Sequence, residues 1–522
     1  LCRLAVDRCP GALHHCHPSE ETSVALRSTL SPFVAASILC ALGCSDAVDS
    51  RSVSVGDGPP AFTERPPELP AGAGDIEAVE PEGGETGAEA TAPSGPNVEQ
   101  GPGPVALTPG ETEPEGSAAE TPEETVPEPV VPGPAVGTVE DSGVTCTRPA
   151  LPPANQLPAI AAHPDPFLMT NGTRITTRAE WTCRRAEIKA QVEEYESGPK
   201  PAVDKANVTG QFNQNRLTVG VSEAGRSISF SITINRPNGA PAGPIPLLIG
   251  VGGSSLDGSV FSQNGVATAN LDNNGMGAQA GGGSRGTGTF YNLYGNNHPA
   301  SSMVAWAWGV SRIIDALEKT PGANIDPQRV AVTGCSRNGK GALTAGAFDE
   351  RIALTIPQES GAGGSASWRV AQVGSNGGEN VQTLSSAANE QPWFRANFGQ
   401  NFGNANVTRL PFDHHSVMGM VAPRALLIID NRIDWLGIES TFTAGSIANE
   451  IWKAFGLADH MGYWQTTGHT HCAFPASQRG ALDAYVKKFL VGGGTGDTNL
   501  VRADGAAADL GRWMQWTPPT LQ

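Results

Sequence analysis

The chain has 522 residues, 64 of them Gly and 42 Pro, and a formal charge of −18. That charge is concentrated: between residues 45 and 141 acids outnumber bases by about nineteen, with no Lys and only Arg51 and Arg65. The remainder is close to neutral, which excludes the basic footprint of a nucleic-acid binder and the charge of a protein held on an anionic membrane surface.

With Leu1 first and no Met before Met169, residues 1–23 need not be native. Arg27 then supplies a positive n-region, and residues 30–42 form an apolar h-region ending at Gly43-Cys44, the pattern of a bacterial export signal. The run is too short for a membrane-spanning helix, which needs about 20 apolar residues. Gly43-Cys44 resembles the end of a lipobox, although Ala41 stands where Leu is usual, so a lipid anchor at Cys44 and free secretion both stay open. Residues 1–44 therefore read as a leader. Residues 45–141, rich in Pro, Glu, Gly, Thr and Ala, read as a disordered acidic linker that cannot bury enough apolar surface to offset its ordering entropy. Residues 142–522 are left for a folded domain, with order expected to begin near Cys146.

Within that domain, residues 178–194 have the charge and apolar spacing of an amphipathic helix. Residues 216–222 and 227–235 alternate around Glu223-Ala224-Gly225, which predicts an antiparallel hairpin leading into the sheet. Residues 244–251 (P-I-P-L-L-I-G-V) form an apolar run suited to a strand buried on both faces, whereas the Gly-, Asn- and Ser-rich stretch 252–294 reads as a long surface loop. A helix is predicted over 301–317. Short apolar strands follow at 351–357, 425–430 and 461–467, with helical stretches between them. Alternating strands and helices imply a mostly parallel sheet in a three-layer sandwich, the α/β-hydrolase layout.

The stretch 329–347 (R-V-A-V-T-G-C-S-R-N-G-K-G-A-L-T-A-G-A) organises this domain as strand, sharp turn and helix. Such an elbow carries a serine in G-x-S-x-G, with glycines because the turn is strained and the helix packs close to the strand. Gly334 precedes Ser336 by two, but Asn338 stands where the second glycine is expected and Gly339 follows it. A serine hydroxyl is a weak nucleophile, so an imidazole must take its proton and a carboxylate must hold the imidazole's tautomer. In sheets of this kind the reactive groups lie beyond the carboxyl ends of the strands. The candidate acids there are Glu359, or Asp430 or Asp434 one strand later, and the candidate bases are His469 and His471 in G-H-T-H-C-A-F-P.

Four of the nine cysteines lie beyond the leader, Cys146, Cys183, Cys335 and Cys472, and in an exported protein an even number suggests disulfides, with three pairings open. Cys335 adjoins Ser336 and Cys472 adjoins His471. A bridge between them, which needs Cα atoms within about 7 Å, would bring serine and histidine into adjacent loops. Cys146 would then pair with Cys183.

The stretches G-C-S-R-N-G-K-G-A (334–342), I-P-Q-E-S-G-A-G-G (356–364), H-T-H-C-A-F-P (469–475) and W-T-C-R-R-A-E-I (181–188) resemble motifs of the glucuronoyl esterases. Members of that family cleave 4-O-methyl-glucuronate esters that join xylan to lignin alcohols. The resemblance implies Ser336 as nucleophile, Glu359 as acid and His471 as base, with Asp434 and Asp430 as alternative acids. It further implies Arg337 at the oxyanion, and Lys340, Gln382, Glu390 and Trp435 on the uronate. The expectation is a monomeric, exported serine esterase, secreted or an outer-surface lipoprotein of a bacterium, that needs no metal or organic cofactor. Two other readings are a general carboxylesterase or acetyl xylan esterase with the same triad, and an inactive hydrolase fold serving as a carbohydrate-binding module.

Overall fold

The computed structural model describes residues 137–522, Ala224 excepted. The leader, Cys44 and all but the last residues of the acidic stretch lie outside the described residues. Three strands, β1 (Val208–Asn213), β2 (Arg216–Glu223) and β3 (Arg226–Thr233), form a small antiparallel sheet. The hairpin is where the alternation predicts it, but it builds its own sheet, which shares the apolar core of the main one and is joined to it by the backbone bridge Asn235 to Thr268.

The main sheet contains β4 (Ile245–Val251), β5 (Ala267–Leu271), β6 (Ile325–Cys335), β7 (Ile352–Gln358), β8 (Ala425–Asn431), β9 (Met461–Thr466) and β10 (Val501–Ala503). All neighbours are parallel, and the order from one edge is β5, β4, β6, β7, β8, β9, β10. Every residue of β4, β7 and β8 is buried, as uninterrupted apolar runs require when helices cover both faces. The alternation is still visible in the packing: Leu247, Ile249 and Val251 join one apolar cluster, and Leu248 joins the other. This is the three-layer α/β-hydrolase architecture that the alternation of elements predicts.

The structure corrects two expectations. The stretch 252–294 is not one long loop: it contains β5 and the helices Gly258–Gln263 and Thr289–Tyr294. The inward residues of β5 are Ala267, Ala269 and Leu271, mostly too small to stand out against the surrounding Gly and Asn. Order also begins earlier than Cys146. At the very end of the acidic stretch, Glu140 pairs with Lys200 and Arg312, and Asp141 pairs with Lys189 at 2.5 Å. Lys200 and Arg312 are buried, and a buried cation without a partner is far costlier than the ordering of a few linker residues. The helix Arg178–Val192 behind this segment starts at a capping box, Thr177 with Glu180, and the Cys146–Cys183 bridge fastens the segment to it at a Cα separation of 5.4 Å.

Candidate active site

Ser336 joins β6 to the helix Arg337–Phe348 with φ 59° and ψ −126°, a left-handed backbone that L-residues rarely adopt. Gly334 and Gly339 make the turn feasible. A Cβ on Gly334 would lie 2.4 Å from the Asn338 carbonyl oxygen, and one on Gly339 would lie 2.7 Å from that of Gln358. The second small residue of the elbow is thus Gly339, while Asn338 is free to accept from Asn273 Nδ2 at 2.9 Å. The first N–H groups of a helix have no intrahelical acceptor, so the start of this helix aims backbone donors at the space above Ser336.

Glu359 follows β7, also left-handed at φ 46°, and is fully buried. His471 lies in the loop after β9. In the sheet β9 is separated from β6 by β8 and β7, about 14 Å at the usual strand spacing, so this loop must cross the end of β8 to reach the serine. The Cys335–Cys472 disulfide, Cα to Cα 5.8 Å, holds it there, and Cys472 is left-handed at φ 65°. Glu359 Oε2 lies 2.8 Å from His471 Nδ1 and accepts the Cys472 N–H at 2.9 Å. Burial works to raise the Glu359 carboxyl, but the hydrogen bonds from His471 and Cys472 and the charges of His471 and His469 outweigh it and hold the group below the usual carboxylate range. With Nδ1 donating to Glu359, His471 keeps Nε2 as its acceptor, and that buried atom has no hydrogen-bond partner among the described residues. Cys335, His471 and Cys472 place ligand-type atoms within 4.8 Å of one another, but the bridged sulfurs offer no thiolate to a metal.

The other acids lie elsewhere. Asp430 is buried at the end of β8, where it accepts from Ser365 Oγ at 3.2 Å and from Tyr463 OH at 3.1 Å. Burial, with some repulsion from Glu359, pushes its carboxyl up to about 6. Asp434 is exposed at the start of the turn Asp434–Leu436. No hydrogen bond among the described residues joins either one to His469 or His471. His469 sits 3.2 Å from Asn431 Nδ2, and its Nδ1 is 3.6 Å from Glu359 Oε1.

Around the opening, Trp435 packs edge-on against His471 with ring centroids 4.7 Å apart and remains 40% exposed, leaving its far side open to a ligand. Its carbonyl accepts the Gln382 N–H at 3.1 Å, and the Gln382 side chain donates to Glu390 Oε2 at 2.7 Å. Lys340 is buried, donates to the Ser360 carbonyl at 2.6 Å, and is pushed down to about 8 by burial, with Glu390 acting in the opposite direction. Sequence reasoning missed Trp393. Lys340 Nζ lies 5.4 Å and the Arg337 guanidinium 5.7 Å from its ring centroid, so this one indole aligns both cations. The signal was available in Q-P-W-F, an aromatic pair just after Glu390, but spacing alone did not connect it to the elbow.

Residues 219–456 match the family model described as glucuronyl esterase, fungi. The chain is 48% identical over 379 residues, 73% of its length and 80% of the relative's, to a 4-O-methyl-glucuronoyl methylesterase of Hypocrea jecorina. It superposes on the glucuronoyl esterase catalytic domain of that fungus with TM-score 0.68 and 47% identity, over 71% of this chain and all of the other. A mutant glucuronoyl esterase of Sporotrichum thermophile, solved with methyl 4-O-methyl-beta-D-glucopyranuronate, gives TM-score 0.68 at 41% identity, covering 72% of this chain and all of that one. A strained serine elbow and a buried acid-histidine pair, found in a chain this similar over four fifths of a curated relative, place it by descent: this protein belongs to the glucuronoyl esterase family.

Proposed function

We propose that the protein hydrolyses 4-O-methyl-glucuronate esters linking glucuronoxylan to lignin alcohols, through an acyl-enzyme on Ser336. The observation that carries this is the hydrogen bond between Glu359 and His471, held beside the strained serine by the Cys335–Cys472 bridge. His471 Nε2 takes the proton as Ser336 Oγ attacks the C6 carbonyl. The oxyanion forms under the helix N-terminus and the Arg337 side chain, and the alcohol leaves with the proton from His471. Water then reverses the sequence and releases the uronic acid. Glu359 stays ionised throughout, orienting the imidazole and offsetting its charge.

Lys340, Gln382, Glu390 and Trp435 form the uronate pocket in this reading, supported by their contacts with one another and with His471. They meet a part of the substrate that a simple acetyl ester lacks. Lys340→Met, which keeps the buried stem and removes the charge, is expected to lower kcat/KM on benzyl glucuronate about ten- to a hundred-fold while leaving p-nitrophenyl acetate almost unchanged. Equal losses on both esters would return the site to a general carboxylesterase.

The proposal extends to the rest of the chain. Residues 1–44 act as an export leader, with lipidation at Cys44 as the alternative to release, and the acidic stretch up to about residue 136 acts as a tether to a monomeric catalytic domain. Two disulfides in the domain are in keeping with an oxidising compartment. Among the described residues no helix is long and apolar enough to cross a membrane. A bacterial origin rests on the leader alone, since the curated relative described above is fungal.

A further inference from the structure

Glu359 has a second imidazole beside it that the mechanism above does not use. His469 precedes His471 in the loop after β9, and its Nδ1 is 3.6 Å from Glu359 Oε1, the carboxylate oxygen that His471 does not take. The His469 side chain is only 8% exposed and Glu359 is fully buried, so little water screens one from the other. Among the described residues Oε1 has one other neighbour, the Gln358 side chain at 3.4 Å, while the Cys472 N–H and the Asn431 amide are on Oε2.

Protonation changes which neighbour His469 faces. In the neutral ring with its proton on Nε2, Nδ1 accepts from Asn431 Nδ2 at 3.2 Å. A proton taken from solvent makes Nδ1 a donor, for which the Asn431 N–H is no partner. The acceptors within reach are then Glu359 Oε1 and the Thr470 carbonyl at 3.3 Å, and of the two only the carboxylate carries a charge. When His471 is protonated as well, one buried carboxylate holds two cations, one on each oxygen. Like charges that share a counter-ion oppose each other, so the two rings take up protons as a coupled pair. Glu359 alone would favour the protonated form of His471, which cannot take the serine's proton. A cation on His469 works against that and keeps His471 neutral to lower pH.

The other charges at this end of the sheet, among the described residues, are turned elsewhere. Asp430 on β8 is bound to Ser365 and Tyr463, Arg432 after β8 donates to the Asp504 carbonyl, the Asp504 carboxylate after β10 accepts from Thr466 at 2.6 Å, and Asp434 is exposed.

We propose that His469 is a positioning residue for the triad: it shares Glu359 with His471 and, when protonated, keeps His471 free to act as base. The proposal rests on the assignment of Glu359 and His471 in the esterase reading above. The test is the pH dependence of kcat/KM on benzyl glucuronate, together with the titration of the His471 ring followed by NMR in full-length protein carrying isotope-labelled histidine. His469→Gln keeps an acceptor for Asn431 and cannot become a cation. In this variant the acid limb of the profile is expected to move to higher pH by about half a unit or more, a loss of about three-fold that grows in as pH falls, and the His471 resonance should move in the same direction. A loss of equal size at every pH, or a His471 titration identical in the two proteins, would overturn the proposal. Should the variant not fold, the wild-type titration decides alone: independent single-site curves for the two rings would overturn it. Failure of the wild-type protein to hydrolyse benzyl glucuronate would sink the esterase reading instead, and the NMR comparison would still decide whether the two imidazoles share Glu359.

Discussion

At the start of β7, Asp349 and Arg351 belong to a cluster with Glu140, Lys200, Arg312 and Asp315. At its end, Glu359 belongs to a cluster with His471, His469 and Asn431. The first is closed. Arg351 reaches Asp315 at 2.5 Å and Asp349 at 2.8 Å, Glu140 spans Lys200 and Arg312, and each charged group faces one of opposite sign. The second is open. Ser336, Glu359 and Cys472 all have left-handed backbones, His471 Nε2 and His469 Nε2 lack hydrogen-bond partners among the described residues, and Asp430 lies buried beneath as a second carboxyl. One strand thus separates a set of charges paired with one another from the set proposed to react, and left-handed backbone marks the second end.

The sharpest way to break this contrast is at the serine. Ser336→Ala is expected to lower kcat on benzyl glucuronate by at least about a thousand-fold while Tm stays unchanged or rises, since the strained end contributes little to stability. Wild-type turnover in the purified variant would remove Ser336 from the mechanism.

Glu359→Gln keeps the size of the acid and removes its charge, so the imidazolium formed on attack loses its counter-ion and its tautomer is no longer fixed. A loss of about a hundred- to ten-thousand-fold in kcat is expected. If Asp430→Asn instead caused the larger loss, the acid would have to be moved to β8.

At the closed end the effect should be on stability alone. Glu140→Gln leaves Lys200 and Arg312 short of a partner, and a loss on the order of 3 kcal/mol in denaturant unfolding is expected, with kcat preserved in the folded fraction. Burial opposes ionisation of Glu140, but Lys200 and Arg312 outweigh it and hold its carboxyl well below the usual range. Its contribution is therefore complete above the ordinary carboxylate range and is lost as pH falls below it. Unfolding free energy in the wild type should decline over that acid window, and less so in Glu140→Gln.

Asp430 should show the opposite sign. Its folded carboxyl is raised to about 6, so between about 4 and 6 the folded state binds more protons than the unfolded one, and stability falls as pH rises through that window. Asp430→Asn cannot ionise, and relative to the wild type it should gain about 2–3 kcal/mol between pH 4 and pH 8. Parallel stability curves for the two proteins would mean that Asp430 does not titrate there.

Much of this was legible before the structure. The apolar runs at β4, β6, β7, β8 and β9, the elbow at Ser336, and the placement of acids and histidines after successive strands all follow from local pattern, because periodicity and turn chemistry act over a few residues. The adjacency of Cys335 to Ser336 and of Cys472 to His471 also made one bridge the natural way to join two loops.

What local pattern could not decide is which side chains meet. Glu359, Asp430 and Asp434 are equivalent as strand-end acids in the sequence. Strand order, together with the loop that crosses the end of β8, brings Glu359 to His471, puts Asp430 against Tyr463 and leaves Asp434 exposed. Trp393 under Lys340 and Arg337, Glu140 on Lys200, and His469 beside Glu359 join residues far apart in the chain. A chain of 522 residues specifies its strands by short-range preference. Its contacts are settled only when those strands have been ordered into a sheet, since the free energy of pairing and burial belongs to both partners and is written in neither segment alone.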